Sequence, residues 1–261
     1  MIYGLYLSAA GVVTSAYTQD VIANNLANAE TSGFKRDLAL FTQRRAEAQT
    51  RAGGAGRGGS MAGATRSDIL ENIGGGLFAA PTAMDTSQGD LETTDSPMDV
   101  SVVGNGYFAV ESGGKQYLSR SGHFTLDRNG ALVLANGRDD RVLDKDLKPI
   151  VIDPRATVTI DKQGVIAQNN KPVAKLAFLD ANPKQLSKYG STFLACSDDL
   201  KSLPAASGMV QDKALERSNV DPAIELNHLM ESQRQLEANA NMIRYQDTTL
   251  GRLVNDVAKI G

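Results

Sequence analysis

Both ends of this chain carry apolar residues at alternating steps of three and four, the spacing that most restricts how the chain can fold. The N-terminal series is Ile2, Leu5, Ala9, Val12, Ala16, Gln19, Ala23 and Leu26, and seven of its eight members are apolar. An apolar stripe with this period is the a/d seam of a helix that packs in a coiled coil. The spacing therefore predicts a long N-terminal helix with a partner along one face.

The C-terminal end repeats this period, with two polar members, in a series of ten positions. These are Leu226, Leu229, Gln233, Leu236, Ala240, Ile243, Asp247, Leu250, Val254 and Val257. Asp221 and Pro222 supply a helix N-cap and a proline at the first helical position, so the helix is expected to begin there. The two terminal helices can pair with each other, parallel or antiparallel, and close the chain on itself.

A lone pair of helices has a thin core, because each helix shields the other on one side only. Leu7, Val13, Ile22, Ile224 and Met230 lie beside the two seams and are expected to stay exposed to water. Exposed apolar surface marks an interaction site, and the simplest partners are copies of the same chain or close relatives. The alternative is a helical hairpin that the central part of the chain buries.

The middle of the chain changes to short β-rich runs such as "MDVSVV", "YFAVES" and "ALVLA", separated by turn signals such as "GNG" and "RNG". Such runs favour an antiparallel β domain. We therefore predict an α+β protein, with terminal helices paired as a coiled coil and a central antiparallel all-β domain. The predicted segments are an N-terminal helix and turn (1–40), a Gly/Arg-rich linker (41–76), the β domain (77–210) and the C-terminal helix (211–261).

Composition argues against several classes of protein. A net charge of -3 provides no general basic field for nucleic acid or for an anionic membrane. The basic run from Lys35 to Arg66 adjoins "RAGGAGRGG" and is interpreted as linker in preference to a nucleic-acid arm. A single cysteine, Cys196, excludes an internal disulfide. No apolar run reaches the roughly 18 residues that a membrane span requires.

We predict no catalytic residue, no bound cofactor and no metal site. Ser121, His123 and Asp127 alternate along one strand, and even spacing on a strand does not make a nucleophile, base and orienting acid. The "GNG" turn at 104–106 leads into a strand, so it lacks the helix that a dinucleotide site needs. "DRNG" at 127–130 is interpreted as an Asn-Gly hairpin turn.

Three blocks of the chain resemble, in order, the flagellar basal-body rod and hook proteins of bacteria. They are "ANNLANAETSGFKR", "GNGYFAVESGGKQYLSRSGHFTLDRNGALV" and the ending that starts "LERSNVDPAIELNHLMESQRQ". The length and the ending resemble the rod members, proximal or distal, and not the longer hook protein. The Arg- and Gly-rich residues 42–76 depart from both rod types.

The resemblance implies a structural subunit that polymerises helically in the periplasm into a hollow drive shaft that transmits torque. Its partners would be copies of itself, related rod and hook proteins, and the flagellar export apparatus, through which it would pass without a cleaved signal peptide. The first Lys or Arg is Lys35, so a charged signal n-region is also missing. The competing interpretation is a secreted β-domain module that binds carbohydrate or peptidoglycan and oligomerises through its helices.

The resemblance also suggests a use for three asparagines that fall within five positions at 24–28. Asparagine favours caps and turns, so we place the end of the first helix there, with the amides bonding backbone of the same or a neighbouring subunit. Gly33 would permit the following turn and Phe34 would anchor it, whereas the alternative is that the asparagines only cap a fraying helix. The predicted assembly motif is Asn24, Asn25, Leu26, Ala27, Asn28, Thr31, Gly33, Phe34 and Lys35. The predicted assembly seam is Ile2, Leu5, Val12, Leu26, Leu226, Leu229, Leu236, Ile243, Leu250, Val254 and Val257.

Overall fold

The structure is a computed structural model that describes residues 2–43 and 76–258. The predicted linker 41–76 lies almost wholly outside the described residues, as do the side chains of the seam residues Ile2 and Val257. The described residues form two compact units. The helical unit takes its residues from 1–24, 37–83 and 223–261, and the β unit from 25–36 and 84–222.

A long helix stands at each end of the chain, α1 (Ile2–Ala27) and α2 (Pro222–Ala258). The strands are β1 (Asp37–Gln43), β2 (Leu77–Met84), β3 (Leu91–Thr93), β4 (Val100–Val103), β5 (Tyr107–Ser112), β6 (Lys115–Ser119), β7 (Phe124–Leu126), β8 (Leu132–Leu134), β9 (Arg141–Val142), β10 (Val158–Ile160), β11 (Val165–Gln168), β12 (Lys171–Lys175), β13 (Phe178–Leu179), β14 (Leu186–Tyr189), β15 (Phe193–Cys196), β16 (Met209–Asp212) and β17 (Ala214–Glu216). Helices at the ends and strands between them confirm the predicted α+β class.

Within the helical unit, α1 and α2 contact each other and run antiparallel. The Ser232 hydroxyl donates to the Ser15 carbonyl oxygen at 2.9 Å. A Cβ added to Gly11 would lie 2.6 Å from Asn239 Nδ2, and one added to Gly4 would lie 2.8 Å from Gln246 Nε2. Early residues of α1 thus meet late residues of α2. Glycine at these positions lets the polar side chains of α2 lie against the α1 backbone.

The contact face between the helices differs from the predicted seam by one residue at alternate positions. On α2 the buried or half-buried positions are 225, 229, 232, 236, 239, 240, 243, 246 and 250. Five members of the predicted series therefore keep their place: Leu229, Leu236, Ala240, Ile243 and Leu250. In contrast, the predicted seam residues Leu226 and Val254 are 46% and 63% exposed. The face shifts because small residues of α1 admit Ser232, Asn239 and Gln246, polar side chains that an apolar pattern does not select.

The apolar residues beside the seams are mostly exposed, as expected. Leu7, Val13, Ile224 and Met230 are exposed, whereas Ile22 is buried, so the expectation for Ile22 is wrong. Ile22 follows Ser8 and Ser15 at steps of seven, and these three positions share the buried face of α1.

Strands β1 and β2 pair with each other in the helical unit. The Tyr17 hydroxyl of α1 donates to the Ala80 carbonyl oxygen at 2.8 Å, and its ring meets the Phe41 ring edge-on. Residues 77–83, which the sequence placed at the start of the β domain, therefore pack with the helices.

The β unit consists of antiparallel ladders, which confirms the predicted central domain. Its largest sheet has the order β14-β15-β6-β5-β9-β8-β7, with β13 also paired to β5, and β10-β11-β12 forms a second sheet. Two-stranded ladders pair β16 with β4 and β17 with β3. The main core packs between these strands around Phe108, Val110 and Ile166, all fully buried.

Candidate assembly site

The predicted assembly motif forms a compact turn directly after α1. Residues 25–36 belong to the β unit, although α1 continues to Ala27. The Asn28 N–H donates to the Asn25 carbonyl oxygen at 3.1 Å, and the Thr31 N–H donates to that of Asn28 at 3.1 Å. Asn25 is buried while Asn24 is exposed. The asparagines therefore stand where the helix ends, and their contact with a neighbouring subunit stays a prediction.

Gly33 passes close to another segment of the β unit. Its φ is +71°, and an added Cβ would lie 2.3 Å from the Ser121 backbone nitrogen. The Gly33 N–H donates to the Glu216 carbonyl oxygen at 2.8 Å. Glycine is required here on two grounds, because side chains disfavour this φ and there is no room for a Cβ.

Phe34 is the apolar anchor of the turn. It is 1% exposed and packs with Ala29 and Val220. The Lys188 ammonium lies 3.7 Å above the centre of the Phe34 ring and donates to the Lys35 carbonyl oxygen at 2.6 Å. Lys188 thus stabilises the turn by contacting both the turn's backbone, at Lys35, and the aromatic ring of Phe34.

Glu216, at the end of β17, is a fully buried carboxylate that joins three parts of the chain. Its Oε1 accepts from the Lys35 ammonium and, at 3.1 Å, from the Gly89 N–H. Its Oε2 lies 3.3 Å from the Arg120 guanidinium. Burial lowers the pKa of Lys35, and the Glu216 carboxylate opposes that shift. The paired charges and hydrogen bonds offset part of the desolvation that burial of these groups imposes.

The Asn219 side chain links the backbone of the turn, at Arg36, to the backbone of a second segment, at Asp85. Its Oδ1 accepts from the Arg36 N–H at 2.7 Å, and its Nδ2 donates to the Asp85 carbonyl oxygen at 3.0 Å. The Lys35 ammonium also donates to the Ser87 carbonyl oxygen at 2.7 Å. Residues 28–36, 85–89 and 216–220 are therefore tied together, and Arg120 and Lys188 join them through Glu216 and Lys35. We call this arrangement the turn network.

Sequence reasoning missed four polar members of the turn network. Glu216, Arg120, Asn219 and Lys188 lie far from the asparagine segment in the sequence, and spacing cannot place them beside it. The available signals were two blocks of the family resemblance, since "LERSNVDP" contains Glu216 and Asn219 and "KQYLSRSG" contains Arg120.

We expect Asp85→Asn to reduce the acid sensitivity of the protein. The pKa of Asp85 lies below its usual value of 3.8, mainly because the Ser87 N–H donates to its carboxylate. The nearby Arg36 guanidinium lowers this pKa further. The carboxylate therefore adds stability above about pH 4, and that stability is lost as the pH falls further. Because the pair is partly exposed, we expect the variant to lose less than about 1 kcal/mol at pH 7.

Urea unfolding at pH 7 and pH 3 measures this effect. The difference in free energy of unfolding between the wild type and Asp85→Asn should shrink at pH 3. An equal difference at both pH values would contradict it.

The Ser121, His123 and Asp127 grouping does not form a proton relay. His123 Nδ1 lies 2.8 Å from Asp99 Oδ1, and Asp127 accepts from Asn129 instead. Across residues 2–43 and 76–258, no group of three or more His, Cys, Asp or Glu side chains is placed to hold a metal ion. Among these residues, neither helix combines the length and the apolarity needed to cross a membrane.

Three family models match the chain. "Flagella basal body rod protein" matches residues 14–35, "Flagellar hook protein FlgE/F/G D1 domain" matches 101–168, and "Flagellar basal body rod FlgEFG protein C-terminal" matches 211–256. The flagellar basal-body rod protein FlgF of Caulobacter vibrioides is 30% identical over 92% of this chain and 91% of its own length. The chain belongs to the flagellar basal-body rod protein family. The rod protein FlgG of Bacillus subtilis is 29% identical over 98% of this chain and 99% of its own length.

Membership makes the chain a structural rod subunit of the flagellar basal body, with a role in motility and no enzymatic activity. It also implies assembly with other rod and hook proteins. The three matched segments meet in the turn network, where Gly33, Arg120 and Glu216 come from the first, second and third segment respectively.

Proposed function

We propose that this chain polymerises helically into the periplasmic drive shaft of the flagellum and transmits torque along it. In this proposal the paired terminal helices form a coiled coil that lines the shaft. The subunit reaches its place through the flagellar export apparatus without a cleaved signal peptide. It then contacts copies of itself and related rod and hook subunits.

The observation that carries the proposal is the apolar surface that both terminal helices leave exposed. On α1 the exposed side chains include Tyr6, Leu7 and Val13. On α2 they are Ile224, Leu226, Met230, Met242, Tyr245, Leu253 and Val254, each between 46% and 71% exposed. Apolar surface on this scale favours association, because burying it removes it from water. A secreted binding module could use the same surface to oligomerise, and membership in the rod family favours the shaft instead.

The turn network supports a mechanical role for the assembly motif. Lys35, Glu216 and Arg120 are all nearly fully buried and hydrogen-bonded, Phe34 is buried, and Gly33 has no room for a Cβ. A turn held in this way keeps its shape when neighbouring subunits apply force. Asn24 and the exposed seam residues Leu226 and Val254 are the proposed contacts to neighbouring subunits.

The test is to complement a deletion strain with Leu226→Glu plus Val254→Glu and to examine its basal bodies by electron microscopy. Because both side chains are exposed in the monomer, the variant should fold with an unchanged melting temperature. Its rods should be short or absent and its motility lost, since the charges would be buried between subunits.

The matched control is Val151→Glu, because Val151 is 60% exposed but lies in the β unit. It should leave rods and motility intact. Full motility in the double variant would refute the proposed contacts.

A further inference from the structure

A groove of about 860 Å³ in the β unit is rimmed by lysines. Its lining includes Lys145, Lys162, Lys175 and Lys201, and Asp146 is the one carboxylate among the lining residues. In the described part of the chain, none of these four ammonium groups lies within ion-pair distance of a carboxylate. Four like charges around one groove repel one another and favour an anionic occupant.

The groove also offers apolar surface. Phe178, Leu179, Leu203 and Met209 line it, and Met209 is 58% exposed. Leu147, also in the lining, has a φ of +58°, which a branched side chain rarely adopts. Backbone strain of this kind is often found at binding sites. The groove is therefore suited to a segment that combines carboxylates with an apolar side chain.

The same chain carries such a segment on strand β3. Residues 90–95 read "DLETTD", with three acids, no base and an apolar Leu91 that is 38% exposed. Asp90, Glu92 and Asp95 are all exposed. Glu92 lies 3.8 Å from Arg217, and both side chains are more than half exposed, so this pair is weak. Strand β3 pairs on one side only, with β17, in the described residues.

We propose that the lysine-rimmed groove of one subunit receives the acidic segment 90–95 of a second copy of this chain. The inference rests on the proposed polymerisation and names one of its contacts. The carboxylates of Asp90, Glu92 and Asp95 meet the lysines, and Leu91 packs on the apolar surface of the groove. Groove and segment are different surfaces, so the contact is heterologous and extends into an open polymer.

The test uses two full-length variants in sedimentation velocity at low salt over a concentration series. Lys145→Glu plus Lys201→Glu changes the groove, and Asp90→Lys plus Glu92→Lys changes the segment. Each variant alone should self-associate about tenfold more weakly than the wild type, because like charges would face each other. A mixture of the two should form heterodimers, because the intact acidic segment of the groove variant can enter the intact groove of the segment variant.

The control is Lys115→Glu plus Lys184→Glu, which alters the net charge equally at exposed lysines outside the groove. It should associate like the wild type. If the groove variant associates as strongly as the wild type, or if the mixture forms no heterodimer, this contact is refuted while polymerisation stands. If the wild type stays monomeric at every concentration and also fails to build rods in cells, the proposed polymerisation is refuted and the contact with it.

Discussion

Glu216→Gln should lower the free energy of unfolding by about 3 to 5 kcal/mol, the cost of removing one partner from a buried ion pair. The Glu216 side chain is fully buried and faces both Lys35 and Arg120. Glutamine keeps nearly the same size but carries no charge, so both cations would stay buried without a counter-charge. Urea unfolding of the full-length chain, followed by circular dichroism, measures the loss.

Glu92→Gln is the matched control for this prediction. Glu92 sits on the neighbouring strand and faces Arg217 at 3.8 Å, but its side chain is 64% exposed. Its loss should cost at most about 1 kcal/mol, because exposed ion pairs contribute little. If Glu216→Gln and Glu92→Gln unfold at the same urea concentration, the buried carboxylate does not hold the turn network together.

Gly33→Ala should destabilise the protein by about 3 kcal/mol or more, although it adds a single methyl group. A left-handed φ costs a non-glycine residue roughly 1 to 2 kcal/mol. The new Cβ would also lie 2.3 Å from Ser121 N and 2.5 Å from the Arg120 carbonyl carbon. Both atoms belong to backbone, so the clash is relieved only by moving the chain, which overpacked sites resist at about 1 to 3 kcal/mol.

Gly113→Ala separates the two parts of this cost. Gly113 also has a positive φ, +57°, but a Cβ there would meet nothing within 4 Å. It should therefore lose only the conformational part, about 1 to 2 kcal/mol. Thermal unfolding of the two variants gives the comparison. Equal melting temperatures would show that Gly33 is needed for its φ alone.

The sequence predicted the elements of this fold better than their contacts. The three-and-four spacing predicted both helices, because an apolar stripe of that period is specific to helices. It missed four of the nine buried or half-buried positions on α2, in part because glycines on α1 admit polar side chains such as Asn239. The "DRNG" hairpin was confirmed, because Gly130 has a φ of +79° between β7 and β8.

The turn network could be predicted only in part. Helix termination near Asn28 and the turn at Gly33 follow from local chemistry, and both are observed. The partners of Lys35 come from 181 and 52 residues away, and no local pattern encodes such distances. A buried lysine is improbable from composition alone, since lysine is rarely buried without a partner.

The division of the chain into two units affects how force can pass through the subunit. The backbone passes from the helical unit to the β unit and back, with crossings at residues 24–25, 36–37, 83–84 and 222–223. A single linker would join two units at one point, whereas here four covalent connections act in parallel. A protease cut at any one of them would leave three unbroken, and in the proposed shaft a twisting load would be shared among all four.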